Sequence, residues 1–330
     1  MAGNSSLVGR VDLQAKSNFN SIINFIQVLM AVFLAINVFQ LVALFSKEQF
    51  TSSTRYILFG NMLLNDCWFL LVSNLLLLFY FFDVATDLRL CLLIYFFLAI
   101  SNMATACTLT AMTLERYVAV CVPLRHADLC SGRRALGAVA LIGAVSSVPC
   151  AVFFTAILPS VIRRNFAEEL RCSAQNLEAY PWHNYLRSAM FLLYFMVMAG
   201  VIVFCYVRIT KAANAASAGD RAASRKGLGT VSLHAFQLLL CLLYLLVPMA
   251  EKAIEGQNNT LFQYIRTFNY VVLILTPRCL SPLVYGLRDE MFFKVLKSYA
   301  LCRRARRESQ LVGCRRGRRR GRRCWRLSET

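Results

Sequence analysis

A chain of 330 residues that is 58% hydrophobic and only 16% charged cannot hide its apolar surface inside a soluble domain. Its apolar residues fall in long, nearly uncharged blocks, whereas soluble helices keep a polar face, so the composition points to a polytopic membrane protein. The net charge of +19 lies largely in the C-terminal tail, and the 13 cysteines are scattered with no Cys-x-x-Cys pair, which supports neither a dense disulfide framework nor a zinc site.

In chain order, Met1 to Asn20 is polar and lacks an apolar run ending at a small-residue cleavage site. No cleavable signal peptide is expected, and the first span would direct insertion. Asn4-Ser5-Ser6 has the pattern of a glycosylation acceptor. Seven candidate spans follow, at about 21–45, 56–82, 90–118, 135–161, 188–207, 228–250 and 267–287. Each reaches the roughly 20 residues that a membrane helix needs. Helices are expected because lipid leaves no backbone group unpaired. The expected fold is therefore an all-α membrane protein, a seven-helix bundle over 21–287.

An odd number of spans puts the termini on opposite sides. Lys and Arg are in excess on the side holding 46–55, 121–134, 208–227 and the tail after 287, which marks that side as cytoplasmic. Without the tail the two sides nearly balance. The second acceptor triplet, Asn258-Asn259-Thr260, then decides, because it falls on the same side as Asn4 and marks that side as outside. The plasma membrane is the expected location, with residues 1–20 extracellular and the C-terminus cytoplasmic. The connections are short and show no long internal repeat, which counts against many transporters.

The third span organises the chain. Leu90 to Leu114 carries no charge, and its length of roughly 37 Å exceeds the ~30 Å hydrocarbon core. Cys91 would sit at one membrane face and Arg116 at the other. The run from Met112 to Arg125, with Glu115-Arg116-Tyr117 and then Pro123-Leu124-Arg125, resembles the end of the third helix in rhodopsin-like (class A) G-protein-coupled receptors. More narrowly it resembles odorant receptors, closest to the fish type. The seventh span ends Ser281-Pro282-Leu283-Val284-Tyr285-Gly286-Leu287-Arg288, similar to the family's Asn-Pro-x-x-Tyr element with Ser281 in the asparagine's place. Pro282 removes a backbone donor and permits a kink. Lys226, Thr230 and His234 open the sixth span at the spacing of the odorant-receptor pattern, with Val231 where that pattern has cysteine. Four apart, they share a face.

The resemblance implies roles for these residues. Cys91 and Cys172 would form a disulfide that roofs a pocket, although many odorant receptors carry further cysteines in the loop where Cys172 stands alone. Glu115, Arg116, Tyr117, Tyr206, Lys226, His234 and Tyr285 would form the G-protein switch. Glu115 replaces the commoner aspartate and keeps its charge. For Arg116 the plainer reading is a basic side chain snorkelling to the interface. Met198 stands where many receptors have proline, so the fifth span is expected to lack the usual bulge.

Asp66 falls mid-span in the second helix and Arg278 mid-span in the seventh. An ionised group at that depth costs roughly 2.5–3.5 kcal/mol and needs a partner. Family members have an acid at the place of Asp66, often with sodium. Here Arg278 is expected to pair with Asp66 in the ion's stead, with Asn37, Thr105 and Ser281 completing a polar cluster. The other reading has Arg278 alone, lining a watery cavity.

The outer halves of the spans would line the ligand site. Leu98, Asn102 and Thr105 share one face of the third span, and Met190, Tyr194, Leu242, Tyr244, Asn269 and Tyr270 are candidates opposite. This mostly apolar and aromatic set suits a small organic ligand. Leu98 stands where amine receptors carry aspartate, which disfavours an amine anchored there.

Residues 288–302 read as an amphipathic helix on the inner leaflet, with Cys302 as a palmitoylation candidate. The arginine-rich stretch 303–330 would be a disordered cytoplasmic tail drawn to anionic membrane lipids. It lacks the aromatic interleaving of a nucleic-acid module, so no nucleic acid is expected as a partner. No catalytic set, metal cluster or cofactor motif is present in the sequence, so an enzyme is not expected. The expected function is an odorant receptor that binds a small organic ligand and activates a heterotrimeric, stimulatory-type G protein. A receptor for a lipid or peptide is the alternative, and a channel or transporter a remote one.

Overall fold

The computed structural model describes residues 2–46, 50, 52–82, 84–163, 169–172, 177, 180–215, 228–240, 243, 247, 259–280, 289, 291–299 and 301. Nearly all of them are helical. The elements are α1 (Ala2–Phe45), α2 (Thr54–Phe81), β1 (Ala85–Asp87), α3 (Leu88–Cys121), α4 (Pro123–Leu129), α5 (Gly132–Arg163), β2 (Glu169–Arg171) and α6 (Pro181–Ala215). Then come α7 (228–240) and α8 (Asn259–Asn269), the latter running into a wider π turn at Tyr270–Leu275 and helical residues 276–280. Five helices are long and apolar enough to cross a membrane, and α7 is a shorter apolar helix. The expected sixth and seventh spans fall on α7 and on 259–280. Their continuations over 241–250 (apart from 243 and 247) and 281–287 lie outside the described residues.

The helices differ in places from their sequence-based limits. The apolar part of α1 starts at Ser21, but the helix itself continues back to Ala2 through the polar stretch, which contains no proline to stop it. α6 is uninterrupted through Met198, which is buried in the core. The short α4 begins with Pro123 at its first turn, where a missing N–H costs nothing. The two-stranded pair β1–β2 is antiparallel, with Thr86 opposite Leu170.

α3 is the hub. It packs on α2, α5 and α6, and α1 packs on α2. Met103 and Ala106 of α3, Cys150 of α5, Phe191, Phe195 and Ile202 of α6 and Val231 and Leu238 of α7 form one buried cluster. A second, of Ile26, Met30, Leu70 and Leu275, joins α1, α2 and the π turn. Gly60 lets α1 approach α2, since a Cβ there would lie 2.8 Å from Leu44 Cδ2. Large apolar side chains such as Leu64, Trp68, Leu71, Leu193 and Val197 face outward. In water such a surface would drive aggregation, but against lipid tails it is the expected exterior.

The described residues 289, 291–299 and 301 belong to a second compact unit. Within it Asp289 Oδ1 accepts from the N–H groups of Met291 and Phe292, both at 3.0 Å, and so caps helix α9 (291–299).

Candidate functional site

At the outer end of α3, Asp87 caps the helix by accepting from Arg89 N–H at 2.9 Å. This fixes the entry of α3 beside β1. Cys91, one turn on, is disulfide-bonded to Cys172, just past β2. The bridge and the β1–β2 pair together hold the segment 169–172 against the top of α3.

Deeper in, α2, α3 and the helix after the π turn meet through polar groups. Asp66 is fully buried and Arg278 is 3% exposed. Arg278 Nη1 donates to Asp66 Oδ1 and to Thr105 Oγ1, both at 2.8 Å, and Nη2 donates to Asn102 Oδ1 at 3.1 Å. The guanidinium carbon stands 3.6 Å from the centre of the Phe69 ring, a close cation–π contact. Asn65 braces the arrangement by donating to Ser101 O and Thr105 Oγ1, both at 2.8 Å, while Ser101 Oγ donates to Asn65 Oδ1 at 2.8 Å. Two opposite charges thus cancel at mid-depth, where either alone would be costly. The set does not suit a bound cation, because the guanidinium already occupies one Asp66 oxygen and would repel a second positive charge.

Thr105 joins this cluster, and so does Asn102, which the sequence assigns to the ligand pocket. Asn37 is fully buried, but its Nδ2 donates to Phe33 O at 3.0 Å, within its own helix. Its Oδ1 and Asp66 Oδ2 are both buried without a hydrogen-bond partner. Ser281 lies outside the described residues.

Among the described residues, Arg278 also lines a small cleft, with room for about one water molecule, together with Phe69, Asn102, Thr105, Leu273, Ile274 and Pro277. Pro277 offers no N–H to Leu273, which loosens this turn, and the π geometry sits just before it. Phe69, Leu273, Ile274 and Pro277 are absent from the sequence-based pocket. The helical spacing of 273, 274, 277 and 278 was available as a signal, but nothing in it shows which way a π turn rotates that face. Of the other pocket candidates, Leu98 is buried in α3, and Met190 packs on the α3–α6 core. Tyr194 Oη lies 2.5 Å from Cys107 Sγ, tying α6 to α3. Asn269 ends α8 and is half-buried. Tyr270 turns towards α1 and α2, donating to Ser73 Oγ at 3.4 Å. Leu242 and Tyr244 lie outside the described residues.

At the inner end of α3, Glu115 Oε2 is 3.4 Å from Arg116 Nε and Glu115 Oε1 is 3.5 Å from His126 Nε2 of α4. Arg116 Nη2 is buried with no hydrogen-bond partner. Tyr117 packs on Phe204 of α6, with ring centres 5.7 Å apart. Thr113 Oγ1 and His234 Nδ1, both buried, are 2.9 Å apart and link α3 to α7. The shared face of Thr230 and His234 therefore points at α3. Tyr206 is partly exposed on α6, at 39%. Cys130, just after α4, has its thiol pushed above the ordinary value by burial and then by the charge of Glu115. Thr54 Oγ1 donates to Ser131 O at 3.3 Å, and Ser53 bridges Ser131, so the two connections on this side are joined. Lys226, Tyr285, Asn258 and Cys302 lie outside the described residues, and Asn4 falls in the first turns of α1. Among the described residues no cluster of His, Cys, Asp and Glu could hold a metal ion.

Residues 36–285 match the family model described as 7 transmembrane receptor (rhodopsin family). The chain is 34% identical to odorant receptor 131-2 of Danio rerio over 84% of this chain and 85% of the relative. It is 24% identical to olfactory receptor 52N2 of Homo sapiens over 67% of this chain and 69% of that one. A shorter match, 34% identical over 19% of this chain and 16% of the relative, is to the thyrotropin-releasing hormone receptor of Mus musculus.

Proposed function

The chain belongs to the rhodopsin family of seven-transmembrane receptors, and we propose that within it this protein is an odorant receptor. It spans the membrane several times, and the family is one of receptors rather than enzymes. In the proposed reading it lies in the plasma membrane with its N-terminus outside and its C-terminus in the cytoplasm. A small organic ligand enters the outer half of the bundle, and a heterotrimeric G protein docks at the inner face.

The observation that carries this reading is the composition of α3. One rigid helix presents Asn102 and Thr105 to the cleft and Glu115 and Arg116 to the inner end. The state described here has Arg116 held by its neighbour Glu115 while Nη2 finds no partner, an arrangement suited to exchanging that acid for a G-protein group. Ligand binding would favour a bundle in which this exchange is made, and so act through differential affinity for two states. The odorant class rests on the extended similarity to odorant receptor 131-2. The match to the hormone receptor covers too little of the chain to favour a peptide ligand.

The test is a cyclic-AMP reporter assay in cells expressing the chain with an olfactory-type G protein, against small odorants, amino acids and steroids. A response that disappears in Arg116→Ala at equal surface expression is the expected result. Silence across the panel from a surface-expressed protein would move the reading to another ligand class or another G protein.

A further inference from the structure

We infer that His126 of α4 is a positioning residue for the Arg116 switch: it holds the Glu115 carboxylate back from a full pair with Arg116, so that the arginine keeps N–H donors free for a partner. This role presupposes the receptor reading and adds the regulation of its inner site.

Glu115 is buried at the inner end of α3 and meets two basic side chains in different ways. Its Oε1 accepts from His126 Nε2 at 3.5 Å, in hydrogen-bonding geometry. A carboxylate only accepts, so this contact requires the hydrogen on Nε2. Its Oε2 lies 3.4 Å from Arg116 Nε, yet Nε and Nη2 of Arg116 are both buried with no hydrogen-bond partner. Charge attraction acts there without hydrogen bonds. A carboxylate free to turn beside a guanidinium takes the forked, two-bond arrangement, which is among the strongest that side chains make. Orphaned donors next to an acceptor cost free energy, so the acid's orientation is being held by something else. Successive helical residues point about 100° apart, and a full pair with Arg116 therefore needs Glu115 to swing. The hydrogen bond at Oε1 opposes that swing.

His126 is a firm anchor because α4 is pinned at both ends. Val122 N–H donates to Val118 O at 3.0 Å, which carries α3 on to the start of α4. Cys130 N–H donates to the carbonyl of His126 itself at 2.8 Å. Thr54 Oγ1 donates to Ser131 O at 3.3 Å and Ser53 bridges Ser131, which ties the far end of α4 to the start of α2. The imidazole thus has little freedom to follow Glu115. Through this contact the placement of α4 sets how tightly Arg116 is held.

The experiment uses the full chain purified in detergent, with two readouts. The first is NMR of isotopically labelled arginine, in which the Arg116 Nε–H is identified by its absence in Arg116→Lys. In His126→Phe the freed carboxylate pairs with Arg116, and this signal is expected to move downfield. In His126→Gln, whose amide still donates to Glu115, it is expected to stay near its position in the unaltered chain. The second readout is basal nucleotide exchange on a purified stimulatory-type G protein. It is expected to fall about two- to fivefold in His126→Phe, the range that a partly exposed ion pair supplies, and to recover in His126→Gln. In a Glu115→Gln background His126→Phe is expected to have no further effect. Should His126→Phe not fold, His126→Leu serves in its place. An Arg116 signal that does not move in His126→Phe overturns the inference, as does one that moves equally in His126→Gln, or a rise in basal exchange in His126→Phe. No exchange from any form, with the downfield shift present, refutes coupling to this G protein while upholding the role of His126.

Discussion

Replacing Arg278 by methionine removes a guanidinium and leaves the Asp66 carboxylate in a site with no exposure at all. Breaking a buried ion pair from one side costs about 3–5 kcal/mol, because the abandoned charge keeps its desolvation penalty. That range corresponds to roughly two to more than three orders of magnitude in the folded population. The structure makes the two halves of the pair unequal. Asp66→Asn leaves Arg278 with Thr105 at 2.8 Å, Asn102 at 3.1 Å and the Phe69 face, and an amide oxygen that can still accept. Its expected cost is about 1–3 kcal/mol. The double variant Asp66→Asn with Arg278→Met should recover most of what Arg278→Met loses, since no uncompensated charge remains. Thr105 still accepts from Asn65 in that background, so the guanidinium leaves little unsatisfied behind it. Surface expression by flow cytometry and thermal unfolding of the purified chain measure the cycle. Purely additive losses in the double variant, or a larger loss from Asp66→Asn than from Arg278→Met, would refute the pairing as the source of stability.

Three further outcomes are expected. Cys172→Ser opens a bridge between residues 81 apart in sequence and should cost about 2–5 kcal/mol, read as lost surface expression that Cys91→Ser reproduces without adding to it. Thr113→Val removes the 2.9 Å contact to His234 and should lower stability by about 1–2 kcal/mol in thermal unfolding, while an unchanged melting temperature would mean the contact contributes nothing. The Cys130 thiol is held neutral by burial and by Glu115, so its alkylation by iodoacetamide should be slow at pH 8 and rise only as pH passes the ordinary thiol range. Glu115→Gln removes the second of those causes and should shift the rate profile to lower pH; an unmoved profile would show that Glu115 does not influence the thiol.

The parts of the molecule legible in the sequence are those with a one-dimensional signal. Uncharged runs locate the spans, because lipid excludes charge over a fixed thickness. Asp66 and Arg278 stand out for the same reason, as two opposite charges at a depth where each needs the other. What the sequence hid is rotational. Asn102 and Tyr270 carry similar pocket credentials, yet Asn102 reaches Arg278 while Tyr270 turns to Ser73 and Met30. The π turn at Tyr270–Leu275 bears on the Arg278 end of that difference, because an extra residue per turn rotates all that follows it. Asn37 was equally plausible as a partner for Asp66, but its own helix offers a carbonyl at bonding distance. The β1–β2 pair is three residues on each side, too short for an alternating pattern to announce it.

The spacing along α3 supplies the last step. Asn102 and Thr113 are 11 residues apart, close to three full helical turns, and so lie on nearly the same stripe. Arg116 follows Thr113 by three residues, within the same broad face. Asn102 is fixed by Arg278, and through it to Asp66 of α2, while Thr113 is fixed to His234 of α7. A rigid helix cannot turn one end of a stripe without turning the other. A ligand that displaces Asn102 would therefore act on the same face that carries the Thr113–His234 contact towards Arg116. On this argument Thr113→Val should alter basal signalling as well as stability, whereas substitutions at the outward-facing Leu93 or Phe97 of the same helix should alter neither. Basal cyclic-AMP output at matched surface expression separates the two, and an effect from Leu93 equal to that from Thr113 would remove the reason to place the coupling on this stripe.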